Sequence, residues 1–355
     1  MRLYDTLTRS LQPLPGPPGP IGMYFCGPTV YQRIHVGNAV PFVLSMWLKR
    51  WLERAGYETT LVINITDIND KIYDAAPGES AGLAERATRW YLDDTSRLGL
   101  GRPDAEPTAA QTVTEQIRMI EELIGDGFAY ESDGDVYFRV ARFPDYGRLS
   151  RQKLDEVREQ EPNPRKEDQR DFAHIWMHNG MLSFRGEEMH KSAGNAVELR
   201  AVLDRFGHET VLLFFMTGHW RKPLDFSNES MTAAAAQAET LRNALRGETR
   251  ASGDWDSFSE VLEDDFNTPA ALAILHEWAR TGALEELGRG LDVFGLGGLA
   301  DRAQAPPEVV TLAEARIGAR ASRDFAEADR LRDEIAEHGW EVRDVASGYE
   351  LVPRA

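Results

Sequence analysis

The sequence predicts an α/β protein: a Rossmann-like parallel sheet with covering helices, followed by an all-α C-terminal part. Three observations carry this. Residues 22–26 (GMYFC) and 59–65 (TTLVINI) read as strands rich in apolar and β-branched residues. Between them, from Ala39 to about Ala55, Val43, Met46, Trp47, Trp51 and Leu52 recur at helical spacing. Beyond residue 196 the periodicity is helical almost to the end. A strand, a helix and a strand at this spacing call for a right-handed crossover and a parallel pair.

In such sheets ligands bind beyond the carboxyl ends of the strands. Cys26, Thr29, His35, Thr66 and Asp67 fall there. Gly37-Asn38 opens the helix directly after the first strand and its Gly27-Pro28 turn. That aims unpaired backbone N–H groups at whatever sits above the strands, an arrangement that favours phosphate. His35 stands at its mouth, able to donate a hydrogen bond to an anion.

A length of 355 residues allows two to three domains. The net charge of −18 argues against broad nonspecific binding of nucleic acid and leaves room for a local basic patch. Cys26 is the single cysteine, which excludes an internal disulfide and fits a reducing, cytoplasmic setting. No uninterrupted apolar run is long enough for a membrane span, and MRLYDTLTRS has no signal core. The expectation is a cytoplasmic monomer with no membrane partner.

Taken in order, residues 1–20 form a polar entry and a Pro/Gly-rich connector. After the first strand–helix–strand unit, helices are expected over 80–98 and 109–127, then a strand at 136–140. Residues 151–171 are heavily charged and read as a solvated loop. Residues 176–181 (WMHNGM) read as a strand and turn. Helices follow over 198–206 and 209–217, from Ser227 to Leu245, and from Asn267-Thr268-Pro269 to about Arg280. A last helix over 322–338 stops at Gly339, and a hairpin around Ser347-Gly348 closes the chain. The regions drawn from this are an α/β part over 1–195, then helical regions at 196–247 and 248–355.

Residues 23–38 (MYFCGPTVYQRIHVGN) and 188–195 (EMHKSAGN) resemble the two signatures of class I aminoacyl-tRNA synthetases, His-Ile-Gly-His and Lys-Met-Ser-Lys-Ser, in the form found in cysteinyl-tRNA synthetases. LYDTLTR at 3–9, NITDINDKI at 64–72 and WMHNGM resemble the same family, in order and over nearly the whole chain. The resemblance implies ATP-dependent activation of cysteine to cysteinyl-adenylate and its transfer to tRNA-Cys, with Mg2+ accompanying ATP. It implies catalytic roles for His35, Asn38 and Lys191. The ATP site would add Gly37, Met189 and Ser192. Cys26, Thr29, Thr66 and Trp176 would meet the amino acid, with Cys26 a ligand of Zn2+. The region at 96–150 would be the connective insertion, 196–247 a stem-contact region and 248–355 the anticodon-side domain.

The chain departs from the family in three places. Asn38 stands for the second His of the first signature, and Glu188 and His190 stand for the first Lys and first Ser of the second. Between Phe172 and His174 the family carries several tens of residues, with Trp-His-Ile-Glu-Cys, His-Gly-Gly-Gly and His-His-Glu-Asn motifs, and none of these is present. The expectations are therefore an incomplete second half-sheet with exposed edges prone to aggregation, and a zinc site reduced to Cys26. His174, His178 and His190 are the histidines that could substitute for the missing ligands; His174 and His178 have helical spacing, but their stretch reads as strand and turn. Two alternatives stay open: an inactive synthetase paralogue or partial product that binds tRNA or a partner, and a ligase joining cysteine to an amino-sugar. The tRNA-ligase form of Gly27-Pro28-Thr29-Val30 and the helical C-terminal domain speak against the latter.

Overall fold

The computed structural model describes residues 1–355 except 144, 145, 148, 150–172, 185, 186, 190–195, 302–304, 346, 347, 354 and 355. The charged stretch at 151–171, His190 and the site candidates Lys191 and Ser192 thus lie outside the described residues. The chain divides into two compact units, Met1–Leu299 and Ala300–Ala355.

Where the sequence predicts a polar entry, the first unit opens with a hairpin, β1 (Arg2–Asp5) paired antiparallel with β2 (Ser10–Pro13). Asp5, 1% exposed, closes its turn by accepting the amides of Leu7 and Thr8. β3 (Pro20–Phe25) then leads into helix α1 (Val36–Arg54), and β4 (Glu58–Ile63) returns parallel to β3. The far edge of β4 is covered by irregular chain, with Ile63 donating to the Ala105 carbonyl at 3.0 Å and Ile65 to that of Pro107 at 2.8 Å.

α2 (Asp70–Ala75) and α3 (Ser80–Ser96) follow. α4 (Val113–Gly125) and a hairpin of β5 (Ala129–Ser132) and β6 (Asp135–Phe138) come next.

The second parallel pair is short. β7 (Leu182–Phe184) pairs antiparallel with β8 (Glu187–Glu188) and parallel with β9 (Leu224–Phe226). Among the described residues β3–β4 and β8–β7–β9 remain separate sheets. The expected strand over 176–181 is not formed, and extended pairing starts only at Leu182. The backbone groups of that stretch are satisfied elsewhere: Thr6 donates to the Trp176 carbonyl, the Trp176 amide to Asp5, and Gly180 to the Trp220 carbonyl.

Helix α5 (Leu199–Met216) breaks at Gly207, whose φ of 74° is outside the helical region, so the two helices expected there form one kinked element. α6 (Asn228–Leu245) starts at an N-cap Ser227, and α7 (Trp255–Glu263) at Asp254. α8 (Thr268–Thr281) has Asn267 as N-cap and an early proline, and ends on Gly282 in the left-handed conformation. α9 (Leu284–Val293) completes the unit.

α1 is the axis of this core. The Trp47 indole donates to the Phe294 carbonyl at 2.9 Å and meets the Phe294 ring edge-on, and Trp51 lies edge-on to Phe258. Both tryptophans are 3% exposed. Each such indole buries roughly 150–250 Å², on the order of 4–6 kcal/mol at ~25 cal/mol/Å². This packing explains why residues 248–299 share the core of the first unit instead of standing with the C-terminal helices.

The second unit contains α10 (Pro307–Ala321), α11 (Phe325–Glu337) and a hairpin of β10 (Trp340–Val345) and β11 (Gly348–Pro353). Val309, Ala313, Ile335 and Val342 form its small core. Asp344 on the hairpin accepts from Arg316 at 2.8 Å and also pairs with Arg320 on the same helix. No helix among the described residues is long and apolar enough to cross a membrane.

Candidate active site

A cleft of about 290 Å³ opens where the carboxyl ends of β3 and β4 meet the N-terminus of α1 and the start of β7. Phe25, Cys26, Gly27 and Pro28 form one wall, His35, Gly37, Asn38 and Pro41 the second, and Asn179, Gly180, Met181, Leu182 and Met189 the third. The volume lies at the small end for a ligand site and suits part of a nucleotide or adenylate.

The first signature folds into a capped helix start. His35 is the N-cap, with extended φ −89° and ψ 165°. The Asn38 side-chain oxygen accepts the His35 amide at 3.2 Å, and the Asn38 amide donates to the His35 carbonyl at 2.9 Å. The Asn38 NH2 group is the part of that side chain suited to donate to a ligand. A Cβ at Gly37 would stand 3.0 Å from two atoms of the His35 ring and 3.4 Å from the Leu182 Cβ. Glycine at this position lets the imidazole lie over the first turn and lets β7 approach. Pro41 cannot donate to the Gly37 carbonyl, which removes one rung of the helix ladder at the cleft wall.

Arg33 anchors the approach to His35. Its guanidinium bonds Asp94 of α3 at 2.6 Å and lies over the Trp90 ring. Asp94 is fully buried, and burial pushes its carboxyl above the usual range against the pull of Arg33.

The turn carrying Cys26 is held by Asn64. Its side-chain oxygen accepts from the Tyr24 hydroxyl at 2.8 Å and from the Gly27 amide at 2.9 Å, while its NH2 donates to Thr66 at 3.1 Å. A Cβ at Gly27 would lie 1.6 Å from the Asn64 carbonyl oxygen, so only glycine fits. Thr29 and Thr66 form a parallel bridge next to Pro28, with Val30 donating to the Thr66 carbonyl at 3.1 Å. Trp176 is fixed by its backbone to Asp5 and Thr6 and is not among the lining residues.

The first signature meets the chain just beyond the second. His35 stands opposite Glu198 in an antiparallel bridge, Val36 donates to the Val197 carbonyl at 2.9 Å, and Leu199 to the Ile34 carbonyl at 3.0 Å. At the other end of the second signature, Met189 is 3% exposed, lines the cleft and donates to the Leu182 carbonyl at 2.9 Å. Met189 and Val197, on either side of residues 190–195, both lie at the cleft.

Zinc does not suit the described donors. Among the described residues no group of three His, Cys, Asp or Glu side chains could hold a metal. Around Cys26 stand a phenol, a carboxamide and the Gly27 carbonyl, toward which its thiol points at 3.7 Å. The thiol is accessible but set in a concave protein wall, and burial pushes its pKa up. His178 bonds Thr6 at 3.0 Å and His174 is exposed, so neither supplies a ligand to Cys26.

Arg33, Asn64, Gly180 and the 197–199 segment were not singled out as site residues from the sequence. Gly180 carried a signal: a Cβ there would lie 2.1 Å from the Lys222 carbonyl oxygen, the close approach that an unexplained glycine can mark. Arg33 and Val197 carried none, because their roles are long-range.

A phosphate-favouring helix start over parallel strand ends, clipped to a second loop, is the site architecture of a class I aminoacyl-tRNA synthetase, and the fold agrees. The methionyl-tRNA synthetase of Mycobacterium tuberculosis, solved with methionyl-adenylate, superposes with a TM-score of 0.54 at 14% identity, over 85% of this chain and 90% of that one. A LeuRS from Agrobacterium radiobacter, solved in a ternary complex with tRNA and LeuAMS, gives 0.58 at 9% identity, over 82% and 86%. These likenesses establish the fold. The family described as tRNA synthetases class I (C) catalytic domain matches residues 14–174 and 167–236, a DALR domain matches 257–282, and the Cysteinyl-tRNA ligase anticodon binding domain matches 302–349.

The chain belongs to the cysteine–tRNA ligase family. It is 33% identical to the cysteine–tRNA ligase of Cupriavidus necator and 34% identical to that of Halorhodospira halophila, in each case over 98% of both chains. Membership makes it an ATP-dependent aminoacyl-tRNA ligase by family, with tRNA as the expected class of partner. Both alignments run over 453 positions against 355 residues here, so 453 less 355 leaves at least 98 positions without a counterpart. The two catalytic-family segments meet at 167–174, around the junction between Phe172 and His174.

Proposed function

We propose that this chain activates cysteine with ATP and transfers it to tRNA-Cys, using the cleft at His35 as the adenylate site. The observation that carries this is the clip at His35: Val197–Leu199 bonds to both of its flanks, and Met189 lines the same cleft, so the chain on either side of residues 190–195 is tied to it. The amino-acid carboxylate attacks the α-phosphate, an O–P bond forms, and the bond to pyrophosphate breaks. His35 and the N–H groups of the α1 N-terminus stabilise the charge on the transferring phosphate. Lys191 and Ser192, in the roles the resemblance gives them, serve the leaving pyrophosphate, with the Met189 backbone and Gly37 shaping the nucleotide side. Thr29 and Thr66, beside Pro28, border the amino-acid end, and Trp176 keeps only the role that the resemblance gives it. Mg2+ accompanying ATP would supply further neutralisation of the phosphate charge. The anticodon-binding match at 302–349 supports tRNA over an amino-sugar as acceptor.

A second reading is a tRNA-binding relative that does not activate cysteine, and the incomplete donor set around Cys26 favours it. Cysteine-dependent ATP–pyrophosphate exchange, followed by charging of tRNA-Cys, separates the two. Exchange with cysteine supports the ligase. A folded chain that binds tRNA without exchange supports the second reading.

A further inference from the structure

The family resemblance assigns Cys26 to zinc, and its surroundings contradict that assignment. We propose that the amino-acid end of this cleft works without a metal ion, so that side-chain selection rests on shape and neutral polar contacts. This deepens the reading of the cleft as an adenylate site and depends on it. The physical argument is the donor chemistry. A protein zinc site needs three or four ligands drawn from thiolate, imidazole and carboxylate. In the turn carrying Cys26 the described polar groups are the Tyr24 hydroxyl, the Asn64 carboxamide and the Gly27 carbonyl, and among the described residues lining the cleft His35 is the one other zinc-type side chain, too few for a site. The three turn groups are neutral, and the Asn64 oxygen is already committed to Tyr24 and the Gly27 amide. The motifs in which the family carries its other ligands are absent from the sequence.

Selectivity changes as a result. A metal distinguishes a thiolate from a hydroxyl by bonding chemistry. A pocket that relies on shape separates near-isosteres by roughly a hundredfold or less. Cysteine and serine are such a pair, so this cleft should tolerate serine far better than a metal-bearing site would.

Cys26 is the single cysteine of the chain, so thiol alkylation reports on this position alone. The test follows iodoacetamide labelling of the full-length, metal-stripped chain as zinc is added to one equivalent. The expected result is an unchanged labelling rate. Zinc bound elsewhere, without protection of Cys26, also supports the proposal. Protection of Cys26 at one equivalent of zinc, reversed by a chelator, overturns it. This readout needs no catalysis, so it stands apart from any failure of the ligase reading, which pyrophosphate exchange reports. Where exchange is measurable, it should persist in chelator and show serine within about a hundredfold of cysteine. Loss of cysteine-dependent exchange in chelator, restored by zinc, overturns the proposal as well.

Discussion

The amide of Val36 donates to the carbonyl of Val197 at 2.9 Å, joining the residue after His35 to the chain returning from the second signature. The neighbouring bond, from Leu199 to the Ile34 carbonyl, can be removed selectively. Leu199 is the first residue of α5, a position where proline is tolerated. Leu199→Pro should therefore keep the helix and lose the bond. Compared with Leu199→Ala, which loses the buried side chain and keeps the N–H, it should be less stable by about 1 kcal/mol and should bind ATP more weakly. Urea unfolding and ATP titration of both variants check this. Equal behaviour would show that the clip contributes nothing.

His35 is placed to stabilise charge that develops during transfer more than charge in the ground state. His35→Ala should lower ATP–pyrophosphate exchange by about 100- to 1,000-fold, with a smaller change in KM for ATP. Steady-state exchange kinetics give the comparison, and an unchanged kcat would remove His35 from the chemistry.

The Arg33–Asp94 pair should behave as a buried ion pair that fixes the approach to His35. Arg33→Met leaves Asp94 buried without its cation and should cost about 3–5 kcal/mol. The double change Arg33→Met, Asp94→Leu should recover part of that loss, because it removes the stranded charge. Thermal unfolding of the single and double variants tests the coupling, and simple additivity would refute it.

Gly27→Ala should be among the most damaging single changes near the cleft. Its Cβ would stand 1.6 Å from the Asn64 carbonyl oxygen, a backbone atom one residue past the end of the β3–β4 pair. A loss on the order of 3 kcal/mol or more is expected, read by unfolding in urea. A loss below about 1 kcal/mol would show that the turn relaxes freely.

Acid should weaken the C-terminal hairpin through Asp344. Hydrogen bonds from Arg316 and Arg320 hold its carboxyl at about 2, below the ordinary 3.8. For a depressed carboxylate the contribution is fully present above 3.8 and is lost as pH falls toward 2. The side chain is half exposed, so solvent screening limits the effect to less than about 1 kcal/mol. Asp344→Asn should remove it at neutral pH and flatten the acid dependence across that window. An unaltered acid profile would assign it to other carboxylates.

Legibility in the sequence followed the range of the interaction. The N-cap Ser227, the proline after Asn267, the stop at Gly339 and the helical stripe with Trp47 and Trp51 were readable because each is decided by residues within a few positions. The β1–β2 hairpin was missed because its turn is closed by a buried aspartate, not by a glycine or proline turn pair. The strand over 176–181 was expected from composition, yet its polar groups found partners in Asp5, Thr6 and Trp220, far away in sequence.

Local chemistry and motif order were sufficient for the α/β class, the family, the helix start at His35 and the solitary Cys26, since chain neighbours determine a helix cap and an inventory determines which donors exist. Three features required the tertiary structure: the meeting of Val36 with Val197, the burial of Asp94 under Arg33, and the inclusion of residues 248–299 in the first unit. Each joins groups distant along the chain, and whether such groups meet depends on how the whole core packs.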